Sequence, residues 1–331
     1  MLGEAVAEMQ ESITKGSIVV VNVTDFRSDA ILISNNTLTT ITLPELSAVD
    51  AKSWISATQK HPSEGLPRVW WIGSGLASSM PFHAAGVHAR GSTENAYSRM
   101  ISSYTPSIKA LAYARNQAMR AKEAPVAQET MVIAAMPTSP KGPADKKAPK
   151  DLPGVREETE EILNSARSQI RTTVLTHPSA DQVLGVLKTC RIAHFACHGP
   201  SDYSDPSNSG LILQKSAGPD EAFEQDRLTI AYLLACSTAE NKAARLSDEV
   251  IHVVSGFQVA GFPHVVGCLW PAGDSECVEV AKRFYSLVLR GNQSAINNNE
   301  VALALQEAVM AVRAGDLEMP LNWAQFVHYG T

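Results

Sequence analysis

Two short apolar runs in the second half of the chain each stop at a side chain able to do chemistry. Ile192-Ala193-His194-Phe195-Ala196-Cys197 leads into His198-Gly199, and Tyr232-Leu233-Leu234-Ala235 leads into Cys236-Ser237-Thr238. Four to six apolar residues bounded by Gly, Ser or Pro read as a strand buried on both faces. In an open α/β sheet the groups that follow parallel strands collect in a crevice at the carboxyl edge. A cysteine nucleophile works as the thiolate, and a neighbouring imidazole can take its proton and steady the anion. His198 and Cys236 have these two types, although they lie far apart in sequence. Gly199 allows close backbone approach to a ligand. The N–H groups of Gly199 and Cys236 can then serve as an oxyanion hole for a tetrahedral intermediate.

The elements around these runs supply the sheet. Met131 to His198 reads strand, helix, strand, helix, strand, the alternation expected of a parallel sheet with helices on its faces. The first helix carries Val155, Ile162, Leu163 and Ala166 on one face. The second begins at Ser179 with Gln182 three positions on, the pattern of a capping box. After Cys236 the alternation resumes, with a helix capped at Ser247, strand His264–Trp270, a helix opened by Asp274 and a last helix stopped by Gly315. The first part differs. Ser17–Val23, Ala30–Ser34 and Thr39–Leu43 are closely spaced β-branched runs that read as an antiparallel meander. A helix is expected over Pro44–Lys60. Arg68–Ile72 is a further strand, closed by Gly73-Ser74-Gly75, and a helix follows Ser107. Between Ser139 and Pro153 stand four prolines and four lysines, the composition of a flexible, solvated loop. It divides the chain into an N-terminal half, 1–138, and a C-terminal half, 154–331, that carries the His/Cys pair.

Composition narrows the function classes. Of 331 residues, 44% are apolar and 19% charged, enough for a substantial core. A net charge of −6 argues against a nucleic-acid binder. No segment reaches the roughly 18 consecutive apolar residues of a membrane helix. The first residues show no basic-then-apolar leader, and five cysteines without framework spacing fit a reducing compartment. The expectation is therefore a cytoplasmic protein with no nucleic-acid or membrane partner. Cys190, His194, Cys197 and His198 have ligand types suited to zinc. In a strand, however, His194 and Cys197 face opposite ways.

Several segments resemble the motifs of CHAT domains, caspase-like domains related to caspases and separases. They are Ala193-His194-Phe195-Ala196-Cys197-His198-Gly199, Ala235-Cys236-Ser237-Thr238-Ala239, Asp248-Glu249-Val250-Ile251-His252, Val259 through Gly267, and Leu269-Trp270. Weaker matches are Trp70-Trp71 with Pro81–Gly86, Leu152-Pro153-Gly154, and Trp323–Gly330. The resemblance implies a three-layer α/β/α sandwich around a mainly parallel sheet, here with an N-terminal β-meander. It implies a dyad of His198 and Cys236 that hydrolyses peptide bonds through an acyl-enzyme, with no metal or cofactor. The partners it implies are a protein or peptide substrate and a regulatory protein. It also places the substrate pocket at Trp270–Asp274, where the Asp274 carboxylate would favour a basic side chain. Ser201–Ser209 is expected to be an active-site loop. One departure stands out: family members carry a helix ahead of the cysteine strand, whereas Leu228-Thr229-Ile230 runs straight into Ala231-Tyr232-Leu233. That departure keeps a second reading in play, a catalytically inactive interaction or scaffold module.

Overall fold

The computed structural model describes residues 16–23, 28–34, 37–43, 65–123, 130–140, 151–167, 169–199, 209–214, 229–233, 253–290 and 298–331. Their strands are β1 (Ser17–Val23), β2 (Ser28–Ile33), β3 (Leu38–Thr42), β4 (Arg68–Gly75), β5 (Ile101–Tyr104), β6 (Thr130–Ala135), β7 (Arg171–Thr176), β8 (Ile192–Ala196), β9 (Ile230–Leu233), β10 (His264–Cys268) and β11 (Phe326–Gly330). Their helices are α1 (Ala96–Arg99), α2 (Ile108–Glu123), α3 (Gly154–Ala166), α4 (Ala180–Leu187), α5 (Val253–Val259), α6 (Asp274–Val288) and α7 (Asn298–Gly315).

The strands form one sheet in the order β3-β2-β1-β4-β5-β11-β10-β9-β8-β6-β7. β3, β2 and β1 are the antiparallel meander expected from the sequence. β1, β4, β5 and β11 run parallel to one another, and so do β7, β6, β8, β9 and β10. β11 pairs antiparallel with β10 and joins the two blocks.

Alternate residues of β8, β9 and β10 feed two apolar clusters, one on each face of the sheet, which accounts for the three layers. Ala193, Phe195, Ala231, Leu233 and Val265 pack with Val183 and Leu187 of α4 and Val254 of α5. Ile192, Ile230, Tyr232 and Val266 pack with Ile162 of α3, Phe284 and Tyr285 of α6, and Leu305 and Val309 of α7. Helices therefore cover both faces, and every residue of β8, β9 and β10 is buried. This is why those strands read as continuous apolar runs with no polar face.

α4 starts as the sequence predicts. Ser179 Oγ accepts from the Gln182 N–H, and the Gln182 side chain accepts from the Ser179 N–H, 2.9 Å away. Removing one orphan-donor partner at a helix start costs about 1 kcal/mol. Ser179→Ala is expected to lower unfolding free energy by that amount in urea titration, and an unchanged midpoint would refute the cap's contribution.

Three local expectations need correction. β4 does not stop before Gly73-Ser74-Gly75 but continues through them to Gly75. A β-carbon at Gly73 would lie 2.4 Å from the Ala77 carbonyl oxygen, so the strand needs a glycine where the next turn folds back on it. α6 opens at Asp274 as expected, with Gly273 as its N-cap. β5 and β11 lie in segments read only as the lead into a helix and as a closing motif. Neither shows the β-branched run or clean alternation that marks a half-buried strand. The expected helix at Pro44–Lys60, the cap at Ser247 and residues 141–150 of the Pro/Lys loop lie outside the described residues.

Candidate active site

β8 and β9 are adjacent and parallel, with Phe195 opposite Leu233. His198 follows β8 by two residues and Gly199 comes next, both half-buried at the carboxyl edge of the sheet. The His198 carbonyl accepts from the Ile212 N–H at 2.8 Å. Gln214 donates to the Pro178 carbonyl at 2.9 Å and bridges to Ser179. Ser209–Gln214 therefore runs along the edge beside the histidine, anchored by Leu211 and Leu213 against the core. Cys236 and residues 201–208 of the expected active-site loop lie outside the described residues.

Trp270 and Asp274 sit at the same edge, beyond β10. Trp270 is half-buried, and its indole N–H donates to the Leu321 carbonyl at 2.9 Å. Asp274 is exposed at the start of α6. A β-carbon on Gly154 would lie 2.8 Å from that of Asp274, so the N-termini of α3 and α6 nearly touch. Between them is a cavity whose walls include Leu152, Val155 and Ala272, with Glu158, Asp274 and Cys277 supplying polar atoms. Ala196 and Cys197, the residues directly before His198, also line it. Trp270 does not.

Glu158 is the residue the sequence reading passed over. It is 4% exposed and lies on the buried face of α3 with Val155, Ile162 and Ala166. A carboxylate within an apolar stripe at helical spacing was the available signal. Its Oε1 is 3.1 Å from His194 Nε2, but the pair is too poorly aligned for a hydrogen bond. His194 Nδ1 is 3.1 Å from Tyr285 Oη, and the imidazole stacks on Tyr232. Burial pushes both tyrosine hydroxyls well above their usual range, and the Glu158 carboxylate adds to that. His194 thus points into one layer, while Cys190 and Cys197 belong to the other. Burial pushes the Cys190 thiol up to about 12, which leaves it protonated and inert. Among the described residues no three His, Cys, Asp or Glu side chains are grouped to hold a metal.

The family model for the CHAT domain matches residues 34–331. The chain belongs to the CHAT domain family. Among solved structures, this CHAT domain is similar to the Arg-specific cysteine proteinase gingipain R, with 8% identity, a TM-score of 0.51, and coverage of 86% of this chain and 67% of that one. A complex of the pro- and mature domains of the Porphyromonas gingivalis protein gives 9% identity, a TM-score of 0.49, and coverage of 86% and 69%. The Saccharomyces cerevisiae separase–securin complex gives 14% identity, a TM-score of 0.48, and coverage of 83% of this chain and 16% of that one. At 8% identity the gingipain likeness carries the fold alone, a caspase-like α/β sandwich. No curated protein matches the sequence. No helix among the described residues is long and apolar enough to cross a membrane.

Proposed function

We propose that this CHAT domain is a cysteine endopeptidase in which Cys236 attacks the scissile carbonyl and His198 moves the proton. The observation that carries the reading is strand register. Phe195 lies opposite Leu233 in parallel strands, and His198 and Cys236 each stand three residues beyond that pair. Three residues reach about 10 Å at most, so chain connectivity keeps both within reach of one crevice. In the proposed reaction the His198 imidazole accepts the Cys236 thiol proton and the sulfur forms an acyl-enzyme. The proton then passes to the leaving amine, and water releases the acyl group. The N–H groups of Gly199 and Cys236 serve the oxyanion. Asp274 and Trp270 frame the pocket for the residue before the scissile bond, where the Asp274 carboxylate favours a basic side chain. We place the boundary between halves at 139–153, with the dyad in 154–331, and the site of action in the cytoplasm, with a regulatory protein as partner.

The test is covalent. An acyloxymethyl ketone peptide ending in a basic residue is expected to add one label per chain, located at Cys236 by mass spectrometry and absent from Cys236→Ala. Equal labelling of Cys236→Ala would refute the reading. A folded protein that takes no label from any member of a peptide-probe library would leave the interaction module in its place.

A further inference from the structure

An open sheet ends in two strands whose outer backbone groups have no neighbour. Folded proteins blunt such edges with lysine, proline, a bulge or a covering element. Among the described residues the edges are β3 and β7. β7 opens on Arg171, which is exposed. β3 has no such device, since residues 35–43, Asn-Asn-Thr-Leu-Thr-Thr-Ile-Thr-Leu, contain no charge and no proline. Leu38, Thr39, Thr40 and Thr42 are exposed, Leu38 at 50%.

Register fixes which groups are open. In an antiparallel pair alternate residues exchange backbone hydrogen bonds with the neighbour, and those between them point away. The Ser34 N–H donates to the Thr37 carbonyl, and the Leu43 N–H to the Ser28 carbonyl. With Thr39 opposite Leu32 and Ile41 opposite Ala30, residues 37, 39, 41 and 43 face β2. Leu38, Thr40 and Thr42 therefore turn their N–H and C=O groups outward, with no partner strand among the described residues. Their side chains share the face on which Ile31 and Ile33 of β2 join the cluster around Trp70 and Leu111.

We propose that β3 is a self-docking edge, on which a second copy of this chain pairs antiparallel about a two-fold axis through Thr40. The occupant follows from the composition of the strand. In this register Thr40 lies opposite the partner's Thr40, and Leu38 opposite the partner's Thr42. Each outward residue then gains backbone partners, and the threonine methyl groups shelter Leu38. No charge meets a charge across the pair, although each chain carries a net charge of −6. A charged strand from another protein would find no complement on this edge. Strand pairing alone is a small contact, so the dimer is expected to depend on concentration. None of its residues belongs to the proposed active site, and the endopeptidase reading does not depend on it.

Light scattering on the full chain is expected to show a mass that rises from 35.5 kDa towards twice that value with concentration. Thr40→Lys sets like charges directly opposite each other, and Thr40→Pro removes an outward donor that β2 does not use. Each is expected to weaken dimerisation about 10-fold or more while leaving the urea midpoint of the dilute protein unchanged. If Thr40→Pro does not fold, Thr40→Lys decides. The Cα atoms of a hydrogen-bonded antiparallel pair are about 5.5 Å apart, within the roughly 4.4–6.8 Å that a disulfide spans. Under mild oxidation Thr40→Cys is therefore expected to cross-link two chains at position 40, as located by peptide mapping. Thr39→Cys, which the register places opposite Ile41, is expected to give no link at position 39. A chain that stays monomeric from micromolar to millimolar concentration overturns the proposal and leaves the edge to a strand of another protein. A dimer that Thr40→Lys leaves intact, or one that cross-links at 39 as readily as at 40, overturns it as well.

Discussion

His198→Ala is expected to lower kcat/KM on a cleavable peptide by about 10²- to 10⁴-fold at pH 7, the usual contribution of a positioned acid–base group. Cys236→Ala is expected to abolish turnover, because without the sulfur no acyl-enzyme forms. The two variants are then expected to differ in their response to pH. In His198→Ala the thiol must ionise unaided, and a free cysteine does so near pH 8.5. Residual activity of His198→Ala should therefore climb between pH 7 and 9, while Cys236→Ala stays silent throughout. Steady-state assays on fluorogenic peptides across that range provide the check. Unchanged kcat/KM in His198→Ala would remove the histidine from the mechanism. A flat pH profile for a weakened His198→Ala would mean that the ring acts by some route other than taking the thiol proton.

Acidification is expected to unfold the domain, through histidines that the fold buries neutral. Burial lowers the His83 pKa from 6.5 to about 3. Its Nδ1 is 2.7 Å from Tyr104 Oη, and its ring packs edge-on against Tyr97. Burial likewise holds His328 well below 6.5, with Arg68 and His264 adding like charge. His328 Nδ1 is hydrogen-bonded to Ser103 Oγ, and its Nε2 is 3.0 Å from His264 Nδ1. Between the two His83 values the unfolded chain binds a proton that the folded chain refuses, so stability falls as pH falls. The contribution is intact above pH 6.5 and is lost progressively down to about pH 3. For His83 the loss is about 1.4 kcal/mol per pH unit, or about 3 kcal/mol by pH 4.5. His328 acts in the same direction. Against a typical stability of about 5–15 kcal/mol, such losses are substantial. Urea titrations between pH 7.5 and 4.5 should show the midpoint falling, and His83→Gln should reduce the slope. A stability that is level over that interval would contradict the neutral, buried state of both rings.

How much could be read in the sequence depended on how local each signal was. The α4 cap was legible because Ser179 and Gln182 complete it within one turn. β8 and β10 were legible because strands buried on both faces need apolar side chains at every position. The meander was legible from β-branched runs set close together. β5 and β11 were not. Ile101-Ser102-Ser103-Tyr104 and Phe326–Gly330 are strands because of their neighbours. Their polar members, Ser103 and His328, are buried against each other from distant parts of the chain. Glu158 was missed for a related reason. In isolation, an acidic residue on a charged helix looks solvated, and only packing against β8 places it beside His194.

The sequence by itself determined the family, the alternation of strand and helix that builds a parallel sheet, and the side chains equipped for thiol chemistry. Each of these is carried by residue type or by spacing along a short stretch. Tertiary structure alone decided the strand order, with β11 reversing between two parallel blocks. It alone brought Glu158 and Asp274 to one cavity and set β8 beside β9 with Phe195 opposite Leu233. These relations join residues tens to hundreds of positions apart. They are fixed by which faces bury together and which backbone groups pair, and no window along the chain contains both partners.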